Sequence, residues 1–294
     1  MSRALDVTVD TLPSTLVEEP DMSHTFVVGL FAFGLFLGML LFLEIGRRAG
    51  LRQMKEDSGT AGEGVGAVDG AVFALLGLLI AFTFSGASSR FDARRQLIVE
   101  ETNDIGTAYL RLDLLPADLQ PALRESFRRY LDARIEVYRK ISEIAVGKES
   151  LSKEALVKAN ELQTQIWRQA VAASRAEGAS LAAPLLLLPA LNAMIDITTT
   201  RTMATQMHPP TVVFVMLFGL ALAASLLAGY GMIGGKLRSW LHMLGFALVM
   251  AIAIYVIMDI EYPRLGLIRV DAFDQALIDL RESMNRDTQS SGQK

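Results

Sequence analysis

Four long stretches of almost uninterrupted apolar residues dominate the chain. They cover about residues 25–46, 66–85, 211–234 and 239–258. Each is about 20 residues long, and at 1.5 Å rise per residue a helix of that length crosses a hydrocarbon core of about 30 Å. The pattern therefore predicts four membrane-spanning helices, and an even number of crossings leaves both termini on the same side.

Between the second and third stretches lie about 120 mostly polar residues with a helical repeat of apolar positions. A spacing of three or four residues predicts helices at about 88–115, 117–147, 150–177 and 181–207. The last of these opens with LAAPLLLLPALNAMI, a run that is short and interrupted by two prolines. We interpret that run as bundle core or a membrane-surface segment rather than a fifth span.

The sequence thus predicts an all-α integral membrane protein with an extramembrane helical bundle between spans two and three. The first bundle helix is expected to continue directly out of the second span. The parts of the chain are an acidic N-terminal tail at 1–24, spans one and two at 25–87, the bundle at 88–208, spans three and four at 209–260, and a C-terminal segment at 261–294.

Small residues recur at four-residue spacing within the apolar stretches, as at Gly34 and Gly38 and again at Gly231 and Gly235. Such spacing is typical of membrane helices whose backbones approach closely. We therefore expect the spans to pack against other helices, including those of neighbouring subunits.

Composition strengthens the membrane assignment and narrows the chemistry. Hydrophobic residues make up 51% of the chain and charged residues 20%, with a mean hydropathy of +0.34. The absence of cysteine excludes disulfides, thiolate metal sites and a cysteine nucleophile. A net charge of −4 gives no support for a nucleic-acid partner.

No catalytic or metal-binding pattern is evident in the sequence. The three histidines are scattered along the chain, and none has a second ligand at helical spacing. The motifs of zinc proteases, serine hydrolases and kinases do not occur. We therefore expect no enzyme activity, no metal and no cofactor.

The membrane orientation follows from the distribution of lysine and arginine, which favour the cytoplasmic side of short loops. The loop after span one contains Arg47, Arg48, Arg52 and Lys55, and the turn between spans three and four contains Lys236 and Arg238. This places the bundle and both termini outside the cytoplasm. The opposing charges lie beside longer segments, where the rule has less weight, and are Arg90, Arg94, Arg95, Arg264 and Arg269.

Several ionisable residues lie at the predicted ends of the spans, namely Glu44, Asp69, Arg90, Arg94, Asp259, Glu261 and Arg264. Charges at such depth are costly and tend to be paired or to line water. They are interpreted either as interfacial anchors with local ion pairs or as rings of charge at the mouths of a pathway. In both cases we expect Arg90 or Arg94 to pair with Asp259 or Glu261.

Span two is the candidate for a pore wall. Leu76, Ile80 and Phe84 recur every four residues and form one apolar stripe, the predicted pore constriction. Beyond the membrane the same helix presents a polar line, the predicted vestibule, which consists of Glu100, Asn103, Asp104, Thr107 and Arg111. An apolar constriction that opens into a polar vestibule is typical of gated pores. The alternative is an ordinary lipid-facing stripe followed by a solvated helix face.

Two long segments of the chain resemble motifs of a known family. FALLGLLIAFTFSGASSRFDARRQLIVEETNDIGTAYLRLDLLP at 73–116 and MDIEYPRLGLIRVD at 258–271 are similar to the signatures of the bestrophin-like membrane family of unknown function, which is widespread in bacteria. With the four spans and the helical insert, the resemblance covers about 25–280.

The resemblance implies an oligomeric ion channel of the bacterial inner membrane. Bestrophins are pentameric anion channels whose second span lines the pore, so it implies a homo-oligomer in the lipid bilayer that conducts inorganic ions, anions being favoured. The chain departs from bestrophins in a charge pattern that puts the termini outside and in lacking a clear acidic calcium-binding run. The alternative function is a membrane-anchored helical scaffold or sensor without conduction.

Overall fold

The computed structural model describes residues 22–56, 65–144, 149–232, 240–263, 267–268, 270 and 274–291. Nearly all of the predicted acidic tail, as well as Lys236, Arg238, Arg264 and Arg269, lies outside the described residues. Those residues form eight α-helices and a short 3-10 turn, with no strand among them. The helices are α1 Met22–Glu56, α2 Val65–Leu110, α3 Gln120–Ile144, α4 Glu149–Ala173, α5 Ala183–Gln206, α6 Thr211–Gly231, α7 Trp240–Glu261 and α8 Gln275–Ser291, with the turn at Arg111–Leu114.

The four membrane-spanning helices predicted from the sequence are confirmed. The helical ranges long and apolar enough to cross a membrane are Thr25–Met54, Gly66–Leu114, Ala183–Gly231 and Trp240–Glu261. The third range joins α5 to α6, and α6 alone is the span because α5 packs into the bundle. The chain is therefore a multi-pass, all-helical membrane protein.

α6 and α7 lie between the first two spans and hold them together, because α1 and α2 each pack against both α6 and α7. Their shared core contains buried side chains from all four helices, among them Met39, Leu76, Leu217 and Met243. The closest backbone approach joins α1 to α6. A Cβ atom added at Gly229 would overlap the carbonyl group of Leu43, and one added at Gly46 would overlap that of Leu226.

That contact involves glycines other than those in the predicted four-residue spacings. A Cβ atom at Gly34 or Gly231 would have no atom within 4 Å, whereas one at Gly38 would meet Leu222 at 3.2 Å. The prediction of close helix packing through small residues is correct for α1 and α6, but the register of the two helices selects Gly46 and Gly229 for the tightest approach.

The bundle grows out of α2, as predicted. A helix of 46 residues is about 69 Å long, more than twice the thickness of a hydrocarbon core of about 30 Å. Its outer half packs against α5, while α3 pairs with α4. The run that begins α5 belongs to the bundle core, where Leu187, Leu191 and Met194 are buried.

α5 and α6 are separate helices because Pro209 and Pro210 lie between them. The residue before a proline is driven out of the α conformation, and α5 ends at Gln206, with an extended backbone at Met207, two residues before Pro209. α8 was not predicted as a separate element. It returns to the bundle, where Leu277 and Met284 are buried in the core.

Candidate functional site

From Leu76 onward the two faces of α2 have opposite environments, whereas none of residues 66–75 is buried. One face packs against the rest of the chain and includes the buried residues Leu76, Ala87, Arg94, Ile98, Glu101 and Ile105. The opposite side, which we call the exposed α2 face, is open at every turn and consists of Ala67, Ala71, Ala74, Leu78, Ala81, Ser85, Ser89, Asp92, Gln96, Glu100, Asn103 and Thr107. It runs unbroken from the membrane segment into the bundle.

The exposed α2 face changes character at the predicted end of the span. From Ala67 to Ala81 it carries only small or apolar side chains. From Ser85 onward it is polar, and a shallow depression of about 550 Å³ lies there, lined by Phe84, Ser85, Ser88, Ser89, Asp92, Ala93 and Gln96. A polar strip at this depth suits water better than lipid.

The predicted pore constriction requires a correction. Leu76 is fully buried in the core formed with α1, α6 and α7, and Ile80 is partly buried against that core. Only Phe84, 46% exposed, is open. A side chain enclosed by its own chain cannot line a pathway, so Leu76 is excluded from the predicted constriction; Leu78, on another side of α2, is 51% exposed.

The predicted vestibule residues on α2 lie in its outer half, about 22 Å or more beyond the predicted end of the span at Ser85. Glu100, Asn103 and Thr107 are on the exposed α2 face, and Asp104 is half-buried beside them. Partial burial raises the pKa of Asp104, and the neighbouring carboxylates of Glu100 and Glu101 raise it further. Arg111 lies in the 3-10 turn, where its Nη1 donates a hydrogen bond of 2.6 Å to the carbonyl oxygen of Leu186.

The predicted ion pair at the membrane boundary is present between Arg90 and Glu261. Arg90 donates from Nη2 to Oε2 of Glu261 at 2.7 Å and from Nε to Oε1 at 3.0 Å. The Glu261 side chain is 1% exposed and that of Arg90 is 30% exposed. This pair joins the middle of α2, just beyond the predicted end of the span, to the end of α7.

Arg94 and His208 complete the cluster around Glu261. Nη2 of Arg94 lies 3.7 Å from Oε1 of Glu261, while its Nη1 donates to the backbone carbonyl of Glu261 at 2.9 Å. Arg94 also donates to the carbonyl oxygens of Ala204 and Met207 at the end of α5. His208 Nδ1 lies 3.1 Å from Oε1 of Glu261. One buried carboxylate therefore joins α2, α7 and the α5–α6 link.

Asp259 does not pair with either arginine, contrary to one of the predicted alternatives. Its carboxylate accepts backbone hydrogen bonds from Leu267 at 3.0 Å and Ile268 at 2.8 Å, so it fixes the chain after α7. At the opposite membrane boundary Glu44 pairs within its own helix with Arg47 and Arg48.

Asp69 lies near the start of span two, and its Oδ1 is buried without a hydrogen-bond partner among the described residues. Arg264, the remaining boundary residue of the prediction, lies outside the described residues.

A second buried carboxylate, which the sequence analysis missed, lies in the bundle. Glu101 accepts from Nε of Arg134 at 2.7 Å, from the hydroxyl group of Tyr138 at 2.6 Å, and from Arg201. Burial alone would raise the pKa of Glu101, but the two guanidinium groups outweigh it and hold the pKa below its ordinary value. The cluster links α2, α3 and α5.

A family model provides the decisive comparison. The model described as Bestrophin-like domain matches residues 33–272, which is most of the chain and includes both motif segments. The chain belongs to the bestrophin-like family. The resemblance noted in the sequence is thereby confirmed.

Solved structures agree with the family assignment. Two structures of a bacterial bestrophin homologue from Klebsiella pneumoniae, each with a single substitution, superpose on the bestrophin-like chain with TM-scores of 0.62 and 0.61 at 14% and 13% identity. They cover 87% and 84% of this chain and 98% of those chains. A further structure, described only as a membrane protein, gives a TM-score of 0.56 at 15% identity, with coverage of 84% and 98%. No curated protein sequence matches the chain. At these identities the structural likeness establishes the fold and leaves the activity open.

Proposed function

We propose that the protein is an oligomeric ion channel of the bacterial inner membrane in which the exposed α2 faces of several subunits surround an ion pathway. Membership of the bestrophin-like family supports a channel. The observation that carries the proposal is the continuity of one open helix face through the membrane and into the bundle.

Span two is the most open of the four spans. In its most apolar 18-residue window 6% of the residues are buried, against 28%, 28% and 39% in the other three windows. Helix association in lipid depends on close packing of side chains, and within one chain span two has little of it. An exposed span lined by Ala71, Ala74 and Ala81 leaves room either for neighbouring subunits or for a narrow lumen.

The change from apolar to polar side chains along the exposed α2 face supports a narrow lumen rather than a contact with a neighbouring subunit. Leu78 provides the bulkiest side chain between the small residues of the span, and Ser85, Ser89 and Asp92 follow it. Rings of apolar side chains close a pore by expelling water, and polar rings keep the adjoining vestibule wet. In this arrangement Leu78 forms the constriction and the serines form its outer mouth.

The charges on this face favour cations over anions. Glu100 is exposed and Asp104 half-exposed, while the carboxylate of Asp92 is paired with Arg95 at 3.1 Å. Arg111 contributes one positive charge in the 3-10 turn that follows α2. The anion preference implied by the resemblance therefore has no support in these side chains, and acidic rings of this kind are typical of cation pathways.

The alternative function is an anchored scaffold, for which the closed core of the bundle and the lipid-compatible alanines are sufficient. Flux measurements on purified protein in liposomes separate the two functions. We expect flux in the wild type and faster flux in Leu78→Gln, because a polar ring hydrates the constriction. Leu248→Gln on α7 is the control, since Leu248 is 50% exposed and Leu78 is 51% exposed.

Reversal potentials under ion gradients then give the sign of the ion, cations being expected. Background flux in folded wild type and in both variants would favour the scaffold. A stable monomer in detergent would also contradict the channel.

A further inference from the structure

A groove of about 200 Å³ lies between the middle of α2, the end of α7 and the start of α6, beside the Arg90–Glu261 ion pair. Apart from that pair its walls are nearly all apolar, and its main lining residues are Leu79, Phe82, Gly86, Val213, Phe214 and Ile257. The groove lies on the flank of α2, about 90° around the helix from Leu78. It is therefore separate from the exposed α2 face.

The depth of the groove in the membrane limits what can occupy it. Leu79 and Arg90 are eleven residues apart on one helix, which is about 16 Å along its axis, roughly half of a hydrocarbon core. Its apolar end thus lies among lipid chains and its charged end among headgroups. The volume is below the roughly 300–1,000 Å³ of pockets that enclose small molecules, so it fits part of a chain rather than a whole ligand.

The charged end of the groove is lined by Arg90 and Glu261. Behind this lining the buried Arg94 also contacts Glu261, so two guanidinium groups share one carboxylate and Arg90 is not fully neutralised. Nε and Nη2 of Arg90 are used by Glu261, whereas Nη1 has no hydrogen-bond partner among the described residues. A Cβ atom at Gly86 would come within 3.3 Å of this Nη1, so the glycine leaves space around it.

We propose that the groove binds an anionic phospholipid, with one acyl chain along the apolar wall and the phosphate on Nη1 of Arg90. Charge complementarity selects the headgroup, because one basic side chain near a membrane surface contributes about 1 kcal/mol toward an anionic lipid, or about fivefold in affinity. The bound lipid would reinforce the junction of α2, α6 and α7. The proposal does not depend on ion conduction.

Lipid retention by the detergent-purified full chain tests the proposal, with native mass spectrometry as the readout. Phosphatidylglycerol and phosphatidylcholine of the same acyl chains are titrated in parallel. We expect the wild type to retain phosphatidylglycerol about fivefold more strongly, and Val213→Trp, which fills the groove, to lose both the lipid and the preference. Val215→Trp is the matched control, because Val215 is 64% exposed and lies about 200° around α6 from Val213.

The headgroup contact is tested by Arg90→Gln, which should retain lipid without the fivefold preference. Should that variant fail to fold, Val213→Trp and Val215→Trp still decide the question. Equal retention of the two lipids by the wild type, or equal retention by the two tryptophan variants, would overturn the proposal. Displacement of the lipid by inorganic phosphate at equal concentration would overturn it too, since it would show a phosphate site that does not need the groove.

Discussion

Gly229 lies where α1 and α6 approach most closely, and its replacement by alanine is a direct test of the packing. The added Cβ would overlap the carbonyl group of Leu43, which is backbone and cannot rotate away. The two helices must therefore separate. Gly219→Ala on the same helix is the control, because a Cβ at Gly219 meets no atom within 4 Å.

The magnitude follows from the contacts that the separation would weaken. Moving the helices apart by roughly 1 Å forfeits a quarter to a half of the dispersion energy of each contact along the seam. Overpacking a tight interior lowers the free energy of unfolding by about 1–3 kcal/mol. Because the obstacle at Leu43 is rigid backbone, we expect the loss in Gly229→Ala to lie at the upper end, about 3 kcal/mol. Gly219→Ala should be neutral or stabilising by up to about 1 kcal/mol, because alanine is the better helix former.

Thermal unfolding in detergent, followed by loss of the monodisperse species, measures this difference. At about 2–4 °C per kcal/mol, Gly229→Ala should unfold roughly 6–12 °C below the wild type. Gly46→Ala, which would meet the backbone of Leu226, should behave in the same way. Equal midpoints for Gly229→Ala and Gly219→Ala would refute the reasoning, since the two changes differ only in what surrounds the new methyl group.

Three further predictions concern charge and orientation. Glu101→Gln should lower the free energy of unfolding by about 3–5 kcal/mol, because the buried Arg134 loses its carboxylate partner and Arg201 keeps only Asp274 at 3.6 Å, whereas Glu100→Gln on the exposed face should have little effect. Because the pKa of Glu101 is lower in the folded protein, the stability that Glu101 adds over Gln is complete above pH 4.5 and should diminish as the pH falls below that value. A stability difference between the wild type and Glu101→Gln that does not change with pH would argue against the ionised carboxylate. In a double-mutant cycle Arg90→Ala and Glu261→Ala should couple by at least about 1 kcal/mol, and additive effects would contradict the pair. A cysteine at Thr107, the only one in the chain, should react with an impermeant maleimide in intact spheroplasts if the bundle is extracytoplasmic; labelling only after lysis would reverse the orientation.

The architecture was predictable because the bilayer imposes a length on apolar stretches. About 20 apolar residues are needed for each crossing, and the long polar insert with helical spacing could only lie outside the membrane. The pairing of Arg90 with Glu261 was predictable for a related reason. Both side chains follow the ends of spans that leave the membrane on the same side, so the sequence alone placed them at one depth.

The packed face of span two could not be predicted, for a physical reason. In a soluble helix the polar positions mark the side that faces water, but within the bilayer both sides of α2 are apolar. The spacing of Leu76, Ile80 and Phe84 defines a stripe without saying whether it meets protein, lipid or lumen. Leu76 is buried in the core, and the open side carries Leu78.

The Glu101 cluster was missed because its partners are remote in the chain. Arg134 is 33 residues away and Arg201 is 100 residues away. On the sequence Glu101 is one of several acidic residues on a polar helix. Its position on the same helix face as Ile98 and Ile105 was the available signal, because a carboxylate between apolar neighbours at that spacing is expected to be buried and paired.

The most direct test of the ion pathway is block of flux by a charged thiol reagent in single-cysteine variants, which is feasible because the chain has no cysteine of its own. The exposed α2 face supplies Leu78→Cys and Ser85→Cys, and Leu248→Cys on α7 supplies the exposed control. If the α2 faces surround the pathway, the reagent should abolish ion flux in liposomes containing Leu78→Cys or Ser85→Cys and leave Leu248→Cys unchanged. Block at Leu248→Cys with none at the two α2 positions, or no flux in the folded wild type, would contradict the proposed channel.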